Sequence, residues 1–297
     1  MSPRPTLSPA AGMLLVVLFW GGNFTATKLA FTEIEPLAFT ALRFALATLV
    51  IWLIVRRREG RQPLPPGALG PLILMGLIGN TGYQLGFIEG LSRVSATKSA
   101  LILTALPAMV TLSAWALKIE PVTARQRWAV LVASAGVVVV LLAKGGSIQA
   151  GVGLGELLLL GGVVAWTCYT LLLRHYRLRL SSLSLTAWTL YTGTPLLVII
   201  GIPQLLRTDW QGVSVAGWGG VLYAALLSLV AAYILWNRGV ANLGAARASV
   251  YNCLVPFVAT LIAMVGLGER PGLLHLAGGG MIIAGVLMTR QVPAPEG

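Results

Sequence analysis

Several aromatic and polar side chains sit inside long apolar stretches: Trp20 and Asn23, Asn80, Tyr83 and Gln84, Trp166 and Tyr169, Tyr223, and Tyr251 with Asn252. Residues three or four apart share one face of a helix. Aromatic rings hold apolar groups, while carboxamides and hydroxyls pair with polar or charged ones. The chemistry within reach is noncovalent recognition of a small solute that carries both kinds of group. Ser99, Thr104 and the main chain at Leu103 extend this set beside Pro107. Pro107 and Pro256 each lack the amide that would bond the carbonyl four residues back, at Leu103 and Asn252. A carbonyl freed in lipid costs several kcal/mol unless protein, water or solute pairs with it. Each feature also has a structural reading: helix kinks for packing, hydrogen bonds between helices, and tryptophans that fill a core.

Covalent chemistry finds no support. The sequence has no Ser-His-Asp candidate set, no His/Glu metal motif, and no glycine loop ending in Lys-Ser/Thr. Cys168 and Cys253 lie in apolar runs and read as small packing residues. His175 and His275 have no acidic or thiol neighbours at ligand spacing. No enzyme activity, metal or cofactor is expected.

Ionisable groups inside the apolar runs are few. Arg43 lies seven residues into one of them, about 10 Å deep at the helical rise. Left unpaired, it would cost roughly 2.5–3.5 kcal/mol on the insertion scale. It snorkels outward, pairs with Glu89, Glu33 or Glu35, or meets a substrate carboxylate. Lys98 and Arg247 begin two of the runs and either gate opposite mouths or anchor helix ends. No Asp lies inside a run, and Glu89 and Glu156 lie near run ends. A central glutamate switch for proton coupling is therefore not expected.

These residues need elements to hold them. Of 297 residues, 57% are hydrophobic and 10% charged. A soluble domain carries about 25% charged residues, so the chain reads as an all-α integral membrane protein. Charges and turn formers divide it into ten spans, at 10–31, 36–56, 68–90, 94–117, 123–143, 153–175, 183–203, 214–238, 244–268 and 272–291. In the third, Gly82, Gly86 and Gly90 recur every four residues and make a face for close helix contact. The net charge of +12 sits in short loops, which excludes a solvated nucleic-acid-binding face. With the N-terminus inside, 14 Lys and Arg fall in inside loops and 6 in outside ones. Both termini are therefore expected to be cytoplasmic.

A pattern recurs without a gap. Lys98, Pro107, Thr111 and Glu120 match Arg247, Pro256, Thr260 and Glu269, each pair 149 residues apart (247 − 98, 256 − 107, 260 − 111, 269 − 120). The chain divides into repeats at 1–148 and 149–297. Five spans per repeat is odd, so the second repeat enters from the opposite side and the two are inverted.

The stretch from Leu91 through Ser95-Ala96 and Pro107 to Glu120-Pro121 resembles the signature of EamA-type transporters of the drug/metabolite transporter superfamily. It recurs from Leu243 to Arg270. Trp20-Gly21-x-Asn23-Phe24 and Arg43-Phe44 are similar to that family's first repeat. The resemblance implies ten helices around a central cavity lined by helices 1, 3, 4, 6, 8 and 9. It also implies export of small metabolites, with aromatic amino-acid exporters the most similar subtype. The expectation is an alternating-access exporter in the inner (plasma) membrane, whose partners are a small-molecule substrate and the bilayer, with no nucleic acid. The oligomeric state stays open; a monomer is compatible. Efflux of drugs or nucleobase-like solutes is the alternative within transport, and a channel or structural membrane subunit the alternative outside it.

Overall fold

The computed structural model describes residues 7–60, 64–94, 102–143, 153–267 and 272–290. Its helices are α1 (Pro9–Phe31), α2 (Pro36–Arg58), α3 (69–93), α4 (Ala105–Ala116), α5 (Ala124–Ala143), α6 (Leu154–Tyr176), α7 (Ser182–Arg207), α8 (Val215–Leu243), α9 (245–267) and α10 (Leu273–Arg290). Each expected span overlaps a described helix, though α2, α7 and α8 run on to Arg58, Arg207 and Leu243, past the expected bounds, and no strand occurs among the described residues. α1, α2, α6, α7 and α8 are long and apolar enough to cross a membrane; α4 is a shorter apolar helix.

The starts follow local chemistry. Ser8 caps α1 by accepting from the Ala11 N–H, and Pro9 opens the helix, where its missing donor is harmless. Pro36 opens α2 in the same way. Ser181 and Ser214 cap α7 and α8. Leucines and isoleucines such as Leu14, Leu18, Leu49, Ile199 and Leu287 stay exposed on the outer faces, where lipid replaces water as solvent.

Three helices depart from α geometry. Gly76–Gly82 inside α3 and Ala224–Ala231 inside α8 are π-helical. α9 runs as Ala245–Val250, a 3-10 turn at Tyr251–Cys253, then Leu254–Leu267. The expected mid-helix prolines need a correction here. Pro107 and Pro256 each sit at the third position of a helical segment that begins just upstream, at Ala105 and Leu254. A first turn has no internal partner for its N–H groups, so the prolines fit without loss. The breaks therefore lie at Thr104 and at Tyr251–Cys253. The freed carbonyl expected at Asn252 is not free, because the Leu254 N–H serves the carbonyls of Tyr251 and Asn252.

Small residues set the seams. α3 approaches α6 through Gly86 and Gly90: a Cβ on Gly86 would lie 2.7 Å from the Leu158 carbonyl oxygen, and one on Gly90 2.9 Å from that of Gly155. Gly82, expected on the same face, makes no such approach. α5 and α10 meet reciprocally. A Cβ on Gly136 would lie 2.6 Å from the Gly278 oxygen, and one on Gly285 2.6 Å from the Ala129 oxygen. Gly136 and Gly285, like Ala129 and Gly278, stand 149 residues apart.

A buried carboxylate ties three distant elements together. Glu120, beyond the end of α4, accepts from the N–H groups of Ala245 (3.0 Å) and Ala246 (2.7 Å) at the start of α9. It also pairs with Arg174 near the end of α6 at 3.0 Å. An anion is favoured where a helix presents unpaired N–H groups. Gly244 holds φ at +88°, and a Cβ there would come 2.7 Å from the carboxylate. In the sequence, Glu120 stands out only as a position of the recurring pattern, matched to Glu269.

The α5–α10 seam should not tolerate side chains, because the opposing atoms are main-chain. Gly136→Val and Gly285→Val should each cost about 1–3 kcal/mol. Thermal melting in detergent should show a lowered Tm for both; an unchanged Tm for either would contradict the close approach.

Candidate functional site

The polar turn of α8 orients the first site residue. Ser228 lies in the π segment, where the regular i→i+4 ladder is interrupted. Its carbonyl accepts from the Trp20 indole N–H at 3.0 Å, and its hydroxyl lies 3.1 Å from the Phe19 carbonyl oxygen. Trp20 is thereby fixed on α1, edge-on to Trp166 of α6, with ring centroids 5.5 Å apart. Tyr83 of α3 lies 4.8 Å from Trp166 and stacks on Phe87 at 5.7 Å. Phe24 of α1 meets Phe87 edge-on at 6.4 Å. From α8, Tyr233 contacts Trp20 and Trp166 at 6.3 and 5.6 Å, and Trp236 contacts them at 5.4 and 5.6 Å.

All of these rings except the fully buried Trp236 border a cavity of about 120 Å³. Trp20, Asn23 and Phe24 line it from α1, Arg43 from α2, and Tyr83, Gln84 and Phe87 from α3. Leu103, Thr104, Leu106 and Pro107 come from the start of α4, with Val137 from α5 and Trp166 from α6. Ser228, Leu229 and Tyr233 of α8 and Asn252, Cys253, Val255 and Pro256 of α9 complete it. Arg43 is the one charged residue among the described lining residues. The carboxamide oxygen of Asn23 is buried without a partner.

The structure thus brings together Trp20, Asn23, Tyr83, Gln84, Leu103, Thr104, Trp166 and Asn252 with both prolines. Four expected lining residues stand elsewhere. Asn80 is fully buried and donates to the Thr189 carbonyl of α7 at 2.7 Å. Asn80 lies in the π segment and faces α7, whereas Gln84, just beyond that segment, lines the cavity. Tyr169 lies beyond Trp166, its hydroxyl bonded to Asn237 at 2.8 Å, which in turn donates to Thr186 at 2.8 Å. Tyr223 donates to the Phe19 carbonyl at 3.2 Å, where Gly22 makes room for its ring. Tyr251 is buried away from the cavity.

The charge pairs also differ from expectation. Arg43 neither snorkels nor pairs with Glu89, Glu33 or Glu35: it is 3% exposed and donates to the Gln84 carboxamide oxygen at 2.7 Å. Glu89 pairs with Arg93 on its own helix, as the i,i+4 spacing favours. Glu33 accepts from the Ser214 N–H at 2.8 Å. Arg247 lies in the first segment of α9 and does not line the cavity. Lys98 and Ser99 lie outside the described residues. Sequence reasoning missed Tyr233, Trp236, Phe24 and Phe87; the i,i+3 pair Tyr233–Trp236 in span 8 was the available signal.

Comparison with known proteins matches the description "EamA-like transporter family" to residues 7–142 and again to 153–291. The chain belongs to the EamA-like transporter family. A transporter without assigned substrate from Bacillus subtilis, YyaM, is 28% identical over 93% of this chain and 91% of its own. A probable terminal-alkyne amino-acid exporter of Streptantibioticus cattleyicolor is 25% identical over 94% and 92%. An S-adenosylmethionine/S-adenosylhomocysteine transporter of Chlamydia trachomatis is 27% identical over 91% and 87%. One solved crystal structure matches the fold with a TM-score of 0.78 at 19% identity, covering 96% of this chain and 98% of that one. This EamA-like chain is therefore a multi-pass membrane protein of a transporter family, and not an enzyme.

Lining and packing residues of the EamA-like bundle should separate by stability. Tyr169→Phe leaves the buried Asn237 oxygen without its donor and should cost about 1–3 kcal/mol. Asn23→Ala removes an oxygen that has no protein partner, and its Tm should match that of the parent chain. Melting curves for the two variants check both statements, and equal losses would refute the assignment.

Proposed function

We propose that this chain is a secondary exporter of small amphipathic metabolites, with aromatic amino acids as the leading substrates. The observation that carries this reading is the composition of the cavity. Rings from α1, α3, α6 and α8 face one buried cation and one unpartnered carboxamide oxygen. Rings suit an apolar side chain, the guanidinium a carboxylate, and the Asn23 oxygen an ammonium group. The similarity to an amino-acid exporter supports the same substrate class.

The proposed architecture is ten spans in two inverted five-helix repeats, residues 1–148 and 149–297. The family matches twice along the chain. π segments recur in α3 and α8, and the α5–α10 contact is reciprocal. Trp20 touches Trp166, and Thr48 shares a hydrogen bond of 2.7 Å with Thr194; both pairs are 146 residues apart, the offset at which the two family matches begin (153 − 7), while the matches end at the 149-residue offset (291 − 142). Residues that meet their own counterparts lie beside a two-fold axis. The excess of basic residues in one set of loops supports cytoplasmic termini in an inner membrane.

In that orientation Glu120, Arg174 and the start of α9 stand at the cytoplasmic ends. Cavity residues Phe24, Phe87 and Val137 stand in the outer halves of α1, α3 and α5. The Glu120 clasp then closes the inner side while the cavity faces outward, which is one of the two states that alternating access requires.

Proteoliposomes loaded with unlabelled phenylalanine should take up labelled phenylalanine by saturable counterflow, and Trp20→Ala should abolish it. Absence of counterflow for every amino acid tried would refute the substrate class, and flux without trans-stimulation would indicate a channel. Glu120→Gln loses charge-assisted bonds and should favour the inner-open state by about tenfold. An impermeant maleimide added outside should then label Leu103→Cys more slowly, in a chain lacking Cys168 and Cys253. An unchanged labelling rate would refute the clasp as a gate.

A further inference from the structure

Among the described residues, no carboxylate neutralises the charge of Arg43. Its side chain is 3% exposed, packed with the guanidinium 5.0 Å from the Phe39 ring centroid and 5.6 Å from that of Phe44. One terminal nitrogen donates to Gln84 Oε1 at 2.7 Å, and Nε is buried without a partner. A guanidinium keeps its charge when buried, and a buried charge calls for an opposite one.

The described carboxylates are engaged or placed elsewhere. Glu89 is with Arg93, Glu120 with Arg174, and Glu33 on the Ser214 N–H. Glu59 accepts from Ser181 and Ser184, Glu156 from the Gly153 N–H, and Asp209 from the Gln211 N–H. Glu35 is exposed at the start of α2. Among the described residues, no carboxylate forms an ion pair with Arg43. Gln84 Oε1 accepts from Arg43, and its carboxamide N–H₂, a donor, stands beside the Tyr233 hydroxyl at the cavity wall.

We propose that Arg43 and Gln84 form an anion subsite in the cavity, which takes one carboxylate of the solute or a small inorganic anion such as chloride and rejects cations. The inference rests on the transport reading only for its solute, not for the subsite itself. It also decides between two tendencies of the cavity. Aromatic faces alone attract organic cations. A guanidinium in the same water-poor space repels them and makes a carboxylate the required group.

Three ligands of one shape separate these effects: L-phenylalanine, 3-phenylpropionate and phenethylamine. Binding to the full chain in nanodiscs is read by thermal shift and titration calorimetry in gluconate buffer. Phenylalanine and 3-phenylpropionate should bind, and phenethylamine should not. Arg43→Gln should weaken both carboxylates by about tenfold or more, the scale of a lost charge-assisted bond. Arg43→Lys should keep the preference for carboxylates with lower affinity. Phenethylamine binding the unaltered chain as tightly as 3-phenylpropionate would overturn the subsite, as would undiminished affinity in Arg43→Gln. The first criterion needs no variant and survives any folding defect. Chloride replacing gluconate identifies the source: competition with 3-phenylpropionate adds an inorganic anion to the occupants, and no competition restricts the site to carboxylates. If phenylalanine and phenethylamine both bind and both cross proteoliposomes, the subsite falls while transport stands. If chloride alone binds, with loss in Arg43→Gln, the subsite stands while the amino-acid reading falls.

Discussion

Hydrocarbon offers no partner to an amide or carbonyl, so every departure from α geometry in this bundle must be satisfied by protein. The π segment of α3 is met by α7. The Thr192 hydroxyl of α7 donates to the Leu72 carbonyl just before that segment, and within it Asn80 and Thr81 donate to the Thr189 and Gly193 carbonyls of α7. The π segment of α8 is met by α1, where the Ser228 carbonyl receives the Trp20 indole. The second case joins the irregular backbone to the cavity wall. The interruption that costs α8 its regular ladder provides the acceptor that holds Trp20 edge-on to Trp166.

Charge follows the same constraint with the opposite outcome at two positions. Glu120 is satisfied in full, by two N–H groups and Arg174, and its surroundings fit it down to the glycine at 244. Breaking such a buried set leaves Arg174 and the helix start uncompensated, so it acts as a staple between elements far apart in sequence. Arg43 is satisfied only in part, by one neutral oxygen, and borders the cavity. Full satisfaction marks a place that holds the bundle together, and partial satisfaction beside open space marks a place that a solute can complete.

Much of this could be read from sequence where the signal is local. Spans follow from runs of apolar residues, starts from Ser8, Pro9, Pro36, Ser181 and Ser214, and the place of Trp20 and Trp166 at the cavity from their position inside apolar stretches, though not their contact with each other. The π segments left no mark, since Gly76–Gly82 and Ala224–Ala231 carry ordinary apolar or small residues and the extra residue changes only the register. Which of Asn80 and Gln84 meets α7 and which lines the cavity is set by the packing of α3 between its neighbours, which spacing alone does not show. Glu120 was hidden for another reason: its partners lie 54 and 125–126 residues away, and only packing of α4, α6 and α9 brings them within 3.0 Å. Arg43 was visible as a buried charge, but its neighbour Gln84 could not be distinguished from three candidate glutamates without the fold.

On the proposed two-fold arrangement, contacts divide by their distance from the axis. Trp20 with Trp166 and Thr48 with Thr194 are pairs of counterparts, so exchanging the two halves maps each contact onto itself. The reciprocal glycine contacts of α5 and α10 behave the same way. Such contacts can persist through a conformational exchange and serve as its pivot. The Glu120 clasp joins residues that are not counterparts, and exchange of the halves carries it to the opposite face. The rings that border the solute therefore lie where the structure has least reason to move, and the buried carboxylate lies where it must.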